Sequence, residues 1–184
     1  MSLDGVLLAL LREPGSGYDL HGRLESQLPH AWTGELSQIY TCLRRLEQEG
    51  ALQVAAVASR SGPPRRVHRR TPAGTRRLRD WVADGPELGK LREPHLAQVA
   101  ALGELGTAAE RAAFLERLTV ALSERLDGLE DLEHRDFDGL PADFATPRFH
   151  AWLALRIALR TLRAQLLACE EALALVRERG PAAG

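Results

Sequence analysis

Apolar residues recur along this chain mostly at helical intervals, interrupted once by a short stretch with strand texture. Leu3, Val6, Leu7, Leu10 and Leu11 share one helical face, and Pro14-Gly15 stops that run. Leu20, Leu24 and Leu28 predict a second helix over 18–28, ended by Pro29. Leu36, Ile39, Leu43 and Leu46 predict a third over 35–49, with Gly50 suited to the position just past its end. The period then shortens. Residues 52–58 (LQVAAVA) are apolar and partly β-branched, SRSGPP is turn chemistry, and 65–71 (RRVHRRT) alternates loosely. This predicts a hairpin spanning 52–71 with a basic return strand. Thr71 as cap and Pro72 at the first helical position open a further helix carrying Leu78, Trp81 and Val82.

Helix, helix, helix, hairpin, helix is the order of a winged helix-turn-helix. Past a connection at 85–94 the pattern is helical throughout. A short helix is expected over 95–102, and Thr107-Ala-Ala-Glu110 is a capping box opening a long helix to about residue 135. There Leu115, Leu122 and Leu129 stand seven apart. Thr146-Pro147 opens the last helix, to about residue 179, where Trp152, Leu159 and Leu166 interleave with Leu155 and Leu162 in a coiled-coil pattern. Leu153, Ile157 and Leu167 widen its stripe, so this helix is expected to meet more than one partner. The predicted fold is mainly α with a small β-hairpin wing. A winged helix-turn-helix domain, 1–84, precedes an all-α domain, 85–184. Leu115, Leu122, Leu129, Trp152, Leu155, Leu159, Leu162 and Leu166 are the candidate dimerisation residues; an intramolecular bundle fits the same pattern.

Composition narrows the function. Of 184 residues 45% are hydrophobic and the formal net charge is −1, the profile of a globular protein with a substantial core. No run approaches the roughly 20 apolar residues of a membrane span. MSLDGVLLALLREPG lacks the features of a secretion signal, so a cytoplasmic location is expected. Cys42 and Cys169 are too far apart in sequence to suggest a disulfide framework or a metal knuckle. A Gly-rich phosphate loop, a nucleophile elbow, HExxH and a close Cys/His set are all missing, so neither catalysis, a cofactor nor a metal is expected. Charge is uneven, however. Residues 1–81 hold 12 Arg against 8 Asp and Glu, and the remainder 12 Lys and Arg against 17 acids. A basic half on a neutral chain points to a polyanionic partner for that half, double-stranded DNA for a winged helix.

The arginines are placed accordingly. If the apolar stripe of helix 35–49 faces the core, its other faces offer Ser37, Gln38, Thr41 and Arg45 to DNA, with Tyr40 on the flank. Gln suits adenine, Arg suits guanine or phosphate, and hydroxyls suit either. Arg60, Arg65, Arg66, Arg69 and Arg70 crowd the hairpin, with no acid between residues 60 and 79. Neutralisation along a phosphate backbone or in a minor groove would stabilise such a projection. Strand alternation prevents all of them from touching one duplex.

GYDLHGRLE (17–25), SQIYTCLRRLEQEGAL (37–52) and GPPRRVHRRTPAGTRRLRDW (62–81) together resemble the PadR family of bacterial regulators. That family shows a Gly-Tyr-Glu-Leu stretch, a Gly-Gln-Ile-Tyr-Pro…Leu-Arg-Arg-Leu-Glu recognition helix and a basic wing ending in Thr-Pro-Ala-Gly. The helical tail resembles the longer-tailed subfamily in layout. The resemblance implies a homodimer binding a palindromic operator, usually as a repressor. It places Gln38, Tyr40, Arg44 and Arg45 on the recognition-helix motif, and Arg65 and Arg66 on the basic wing. Ser37 stands where Gly is usual, Thr41 where Pro is usual, His68 for the wing Tyr and Arg70 for an aliphatic residue.

Members of the family often release DNA on binding an aromatic or other small molecule. Trp32, Phe149 and Trp152 are the effector candidates, with Arg148 and Arg156 able to meet an anion. A protein-interaction adaptor using the same scaffold without specific DNA binding is the alternative function.

Overall fold

The computed structural model describes residues 3–29, 35–58, 64–87 and 93–179. The chain divides into two compact units, Met1–Lys90 and Leu91–Gly184.

The first unit contains α1 (Leu3–Leu10), α2 (Gly17–Gln27), α3 (Leu36–Gln48), β1 (Leu52–Val57), β2 (Arg65–Arg70) and α4 (Pro72–Ala83). Its core holds residues the periodicity singled out: Leu7, Leu11, Leu20, Leu24, Ile39, Leu43 and Leu46 are essentially sealed from solvent, as is Leu8, which the spacing did not include. Cys42, Ala51 and Leu52 join them, and Leu78 and Trp81 pack partly against them. Trp81 lies so close to Gly5 that a Cβ there would stand 2.6 Å from the indole Cε3. The α1–α4 contact therefore needs glycine at position 5.

Each junction has a local cause. Ser16 and Asp19 form a capping box at α2: the Ser16 amide donates to Asp19 Oδ2 at 2.8 Å, and the Asp19 amide to Ser16 Oγ at 3.3 Å. At the end of α3, Gly50 takes a φ of 71°. Its amide donates to the Glu47 carbonyl at 3.0 Å and the Ala51 amide to the Leu46 carbonyl at 2.9 Å, a Schellman ending that only the left-handed residue permits. Both strands end one residue before expectation: β1 stops at Val57, which pairs with Arg65, the first residue of β2, and β2 stops at Arg70 because Thr71 caps α4 by accepting from the Gly74 amide at 3.0 Å.

The antiparallel register pairs Leu52 with Arg70, Val54 with His68 and Val57 with Arg65. On its other edge β2 is bridged by Gly15, whose amide donates to the His68 carbonyl at 3.1 Å while the His68 amide donates back at 2.8 Å. This bridge ties the hairpin to the α1–α2 loop. Arg23 braces the same loop by donating to the carbonyls of Glu13 at 2.7 Å and Pro14 at 3.1 Å.

The second unit contains α5 (Pro94–Ala100), a 3₁₀ turn (Leu102–Glu104), α6 (Ala108–Asp136) and α7 (Pro147–Arg179). The helix expected over 95–102 thus ends earlier and continues only as that turn. The Thr107–Glu110 capping box opens α6 as its sequence predicts. Arg156–Glu133, Arg163–Glu130 and Arg177–Glu116 ion pairs show α6 and α7 running antiparallel. Between them Leu122, Leu129, Leu132, Leu155, Leu159 and Leu162 form the buried cluster. No helix of the described residues is long and apolar enough to cross a membrane.

Candidate nucleic-acid interface

Helix α3 is divided lengthwise. Ile39, Cys42, Leu43 and Leu46 are buried, whereas Ser37, Gln38, Tyr40, Thr41, Arg44, Arg45 and Gln48 are exposed. At 3.6 residues per turn Ser37, Thr41, Arg44 and Gln48 run along the middle of the exposed face, with Gln38 and Arg45 on one flank and Tyr40 on the other. The division exists because the apolar residues recur every three or four positions, so the core can hold only one side of the helix.

The individual side chains differ in freedom. Thr41 Oγ1 donates back to the Ser37 carbonyl at 3.0 Å, which uses its proton and leaves lone pairs outward. Tyr40 rests on the first turn of α2, where Gly17 makes room: a Cβ at Gly17 would stand 2.9 Å from Tyr40 Cζ. Arg44 carries no ion pair among the described residues. Arg45 does. Its guanidinium donates to Asp4 Oδ1 and lies 3.9 Å from Cys42 Sγ. Because Asp4 is buried on α1, Arg45 holds the fold together as well as facing outward.

The hairpin presents its arginines on two faces. Arg65 and Arg69 share one with Val67, and Arg66 and Arg70 share the other with His68. Arg70 is half-buried and donates from Nε to the Leu11 carbonyl at 3.1 Å; burial, and then the charge of Arg12, lowers its pKa. Arg65 donates to Asp19 at 2.6 Å and to Ser16 Oγ at 3.2 Å. Arg66 donates to Glu47 Oε2 at 2.7 Å. Arg69 is exposed, without an ion pair among the described residues. Arg60 lies outside the described residues, as does the effector candidate Trp32.

His68 is buried, and its Nδ1 has no hydrogen-bond partner. Burial lowers its pKa; the Glu47 charge opposes that shift and the Arg66 charge reinforces it. The position is therefore a packing site at the base of the wing.

In the second unit, the candidate seam residues lie within one chain. Leu115, Leu122, Leu129, Leu155, Leu159 and Leu162 are buried, and Trp152 and Leu166 half-buried. Leu153, Ile157, Leu167 and Leu175 remain exposed along the outer side of α7. Near the α6–α7 corner, Phe149 meets Phe144 edge-on at 4.9 Å and stacks on Trp152 at 6.0 Å. Arg148 lies over Phe137 and donates to the Asp136 carbonyl at 2.7 Å. Arg156 lies over Trp152 and pairs with Glu133 at 3.1 Å. Both arginines offered to an anionic effector thus have partners within the chain.

Sequence reasoning overlooked the acids that hold Arg45, Arg65 and Arg66, namely Asp4, Asp19 and Glu47. A signal was present for two of them. Ser16-Gly17-Tyr18-Asp19 has capping-box spacing, and Asp4 interrupts an otherwise apolar stripe.

Residues 6–80 match the model of the Transcriptional regulator PadR-like family. A probable transcriptional regulator of Mycobacterium tuberculosis is 26% identical over 164 residues, 84% of this chain and 86% of the relative. The negative transcriptional regulator PadR of Bacillus subtilis is 23% identical over 173 residues, 93% and 95% of the two chains. Its crystal structure in complex with operator DNA shares the fold with a TM-score of 0.82, over 95% of this chain and 98% of that one. Its complex with p-coumaric acid gives 0.77 over the same shares. The winged-helix unit thus carries the match to the PadR-like family of transcriptional regulators.

Proposed function

We propose that this chain is a sequence-specific DNA-binding regulator of transcription, acting as a homodimeric repressor on a palindromic operator. One observation carries the reading. Helix α3 buries one side in the core and leaves Ser37, Gln38, Thr41 and Arg44 in a continuous polar face, beside a hairpin bearing Arg65, Arg66 and Arg69. A helix divided in this way is gripped on one side while the other enters a major groove. The operator complex of B. subtilis PadR and that protein's description as a negative regulator favour the same role here.

The winged-helix unit would read DNA, and the α6–α7 unit would pair two copies. The seam leucines are buried inside the chain, so the surface open to a second copy is the outer row of α7, from Leu153 to Leu175. The p-coumaric acid complex of B. subtilis PadR supports a small aromatic effector, for which Phe149 and Trp152 are the described candidates. An adaptor without DNA affinity would leave the arginine-rich hairpin without a role. Consistent with the family, we assign the chain no catalysis and a cytoplasmic location.

The test is selection of bound fragments from the source genome, followed by gel shifts across a salt series. Palindromic sites with steeply salt-dependent affinity are expected. Protein that retains no fragment even in dilute buffer ends the proposal.

A further inference from the structure

The hairpin's Arg65 and Arg66 are not bare cations. Arg65 Nη2 reaches Asp19 Oδ2 at 2.6 Å and Oδ1 at 2.8 Å, and Arg66 Nη2 reaches Glu47 Oε2 at 2.7 Å. Being adjacent on β2, the two side chains leave opposite faces of the hairpin, and each meets a carboxylate from a different helix. Asp19 has a second task in capping α2. Glu47 has none of that kind: in the last turns of α3 an acid meets the negative end of the helix dipole, where helix energetics disfavour it. Its partner is Arg66.

We infer that Asp19 and Glu47 are counter-ions that limit the DNA affinity of the wing, each neutralising an arginine that duplex phosphates must win from it. This rests on the DNA-binding reading above. Both arginines are more than half exposed, at 52% and 63%, and both acids about one-third exposed, so water screens the pairs and they exchange readily. A duplex brings one phosphate charge per about 1.7 Å of axis and displaces a single carboxylate by number. The displaced acid remains beside the backbone and subtracts from the attraction. Phosphate contacts carry no sequence information, so this subtraction applies to every duplex alike. It keeps an arginine-rich wing from adhering to bulk DNA.

The experiment compares wild type, Glu47→Gln, Glu47→Asp and Asp19→Asn on a selected fragment and on random duplex across a salt series. Gln matches Glu in helix propensity, and Asp19→Asn supplies an independent second variant whose fold is checked by melting. Expected for both neutral variants is several-fold tighter binding to both duplexes at low salt. Their log–log salt slope should be steeper by about 1, while Glu47→Asp keeps the wild-type slope. A purely structural role would shift melting and leave the slope alone. If wild type binds and both neutral variants bind equally or more weakly, the counter-ion role is overturned and the DNA reading stands. Wild type that binds no duplex overturns both.

Discussion

Arg77 on α4 donates to Asp4 on α1 at 2.6 Å, and Asp4, although buried, takes two further donors from α3: the thiol of Cys42 at 2.9 Å and the guanidinium of Arg45. One carboxylate thus joins three helices beneath the candidate DNA face. The Cys42 thiol is pushed up to about 12, first by burial and then by the Asp4 hydrogen bond and charge, so it stays protonated and donates.

Replacing Asp4 with Asn keeps the volume and removes the charge. Arg45 and Arg77 are 55% and 41% exposed at their side chains and can turn to water, which limits the damage. We expect a loss of about 1.5–3 kcal/mol, the range for hydrogen bonds to a charged group. It should appear as a lower urea midpoint with an unchanged m-value. A shift below about 0.5 kcal/mol, no more than an ordinary surface substitution, would remove Asp4 from the framework.

His68 makes a separate prediction about acid. Its folded pKa lies below the ordinary 6.5 because burial disfavours the imidazolium. A depressed histidine contributes stability above the unfolded pKa of 6.5, and that contribution is lost as pH falls through the lower folded value. Asp19 and Glu110 also have lowered values, but their ordinary ranges are 3.8 and 4.5, so their loss comes at lower pH. Between about pH 7 and 5 wild type should therefore lose stability that His68→Phe retains. Parallel curves for the two proteins over that window would contradict the assignment.

Much of this architecture was legible in the residues. Helix positions followed from Leu and Ile spacing, and α4 and α6 began at Thr71 and Thr107 because caps are local chemistry. The register was less accessible: no short-range signal states that Gly15 bridges His68, a contact spanning more than fifty positions. The wing's ion pairs were hidden for the same reason. Arg65 and Arg66 stand in a stretch without acids, and their partners come from α2 and α3, which only the folded chain brings near. The α7 pattern identified both of its apolar sides, yet spacing alone could not say which side α6 takes.

Base reading and phosphate contact separate by mutation. Gln38 is exposed on α3 and its described environment leaves the amide available, so Gln38→Ala should cost roughly 1–3 kcal/mol on a preferred site and little on random duplex. Replacing both Arg65 and Arg66 with Ala should weaken every duplex and flatten the salt slope by about 2. Arg45→Ala is expected to lower melting as well as affinity, since it also removes a donor from Asp4. Equal losses for Gln38→Ala on preferred and random DNA would deny it a base-reading role.

The two sides of α7 should respond differently to change. Leu159 is sealed between α6 and α7, so Leu159→Ala should cost about 2–5 kcal/mol of fold stability through the cavity it leaves. Ile157 and Leu167 are 60% and 56% exposed in the single chain, and acids there meet water unless a second copy covers them. Replacing both with Glu should yield a folded monomer in sedimentation, with helical content retained. Truncation at residue 146 is harsher, because it strips α7 from Leu122 and Leu129 and bares the inner side of α6; aggregation is the expected result. A double-Glu variant that still sediments as a dimer would move the interface off the outer row of α7, since two buried charges per copy would oppose it there.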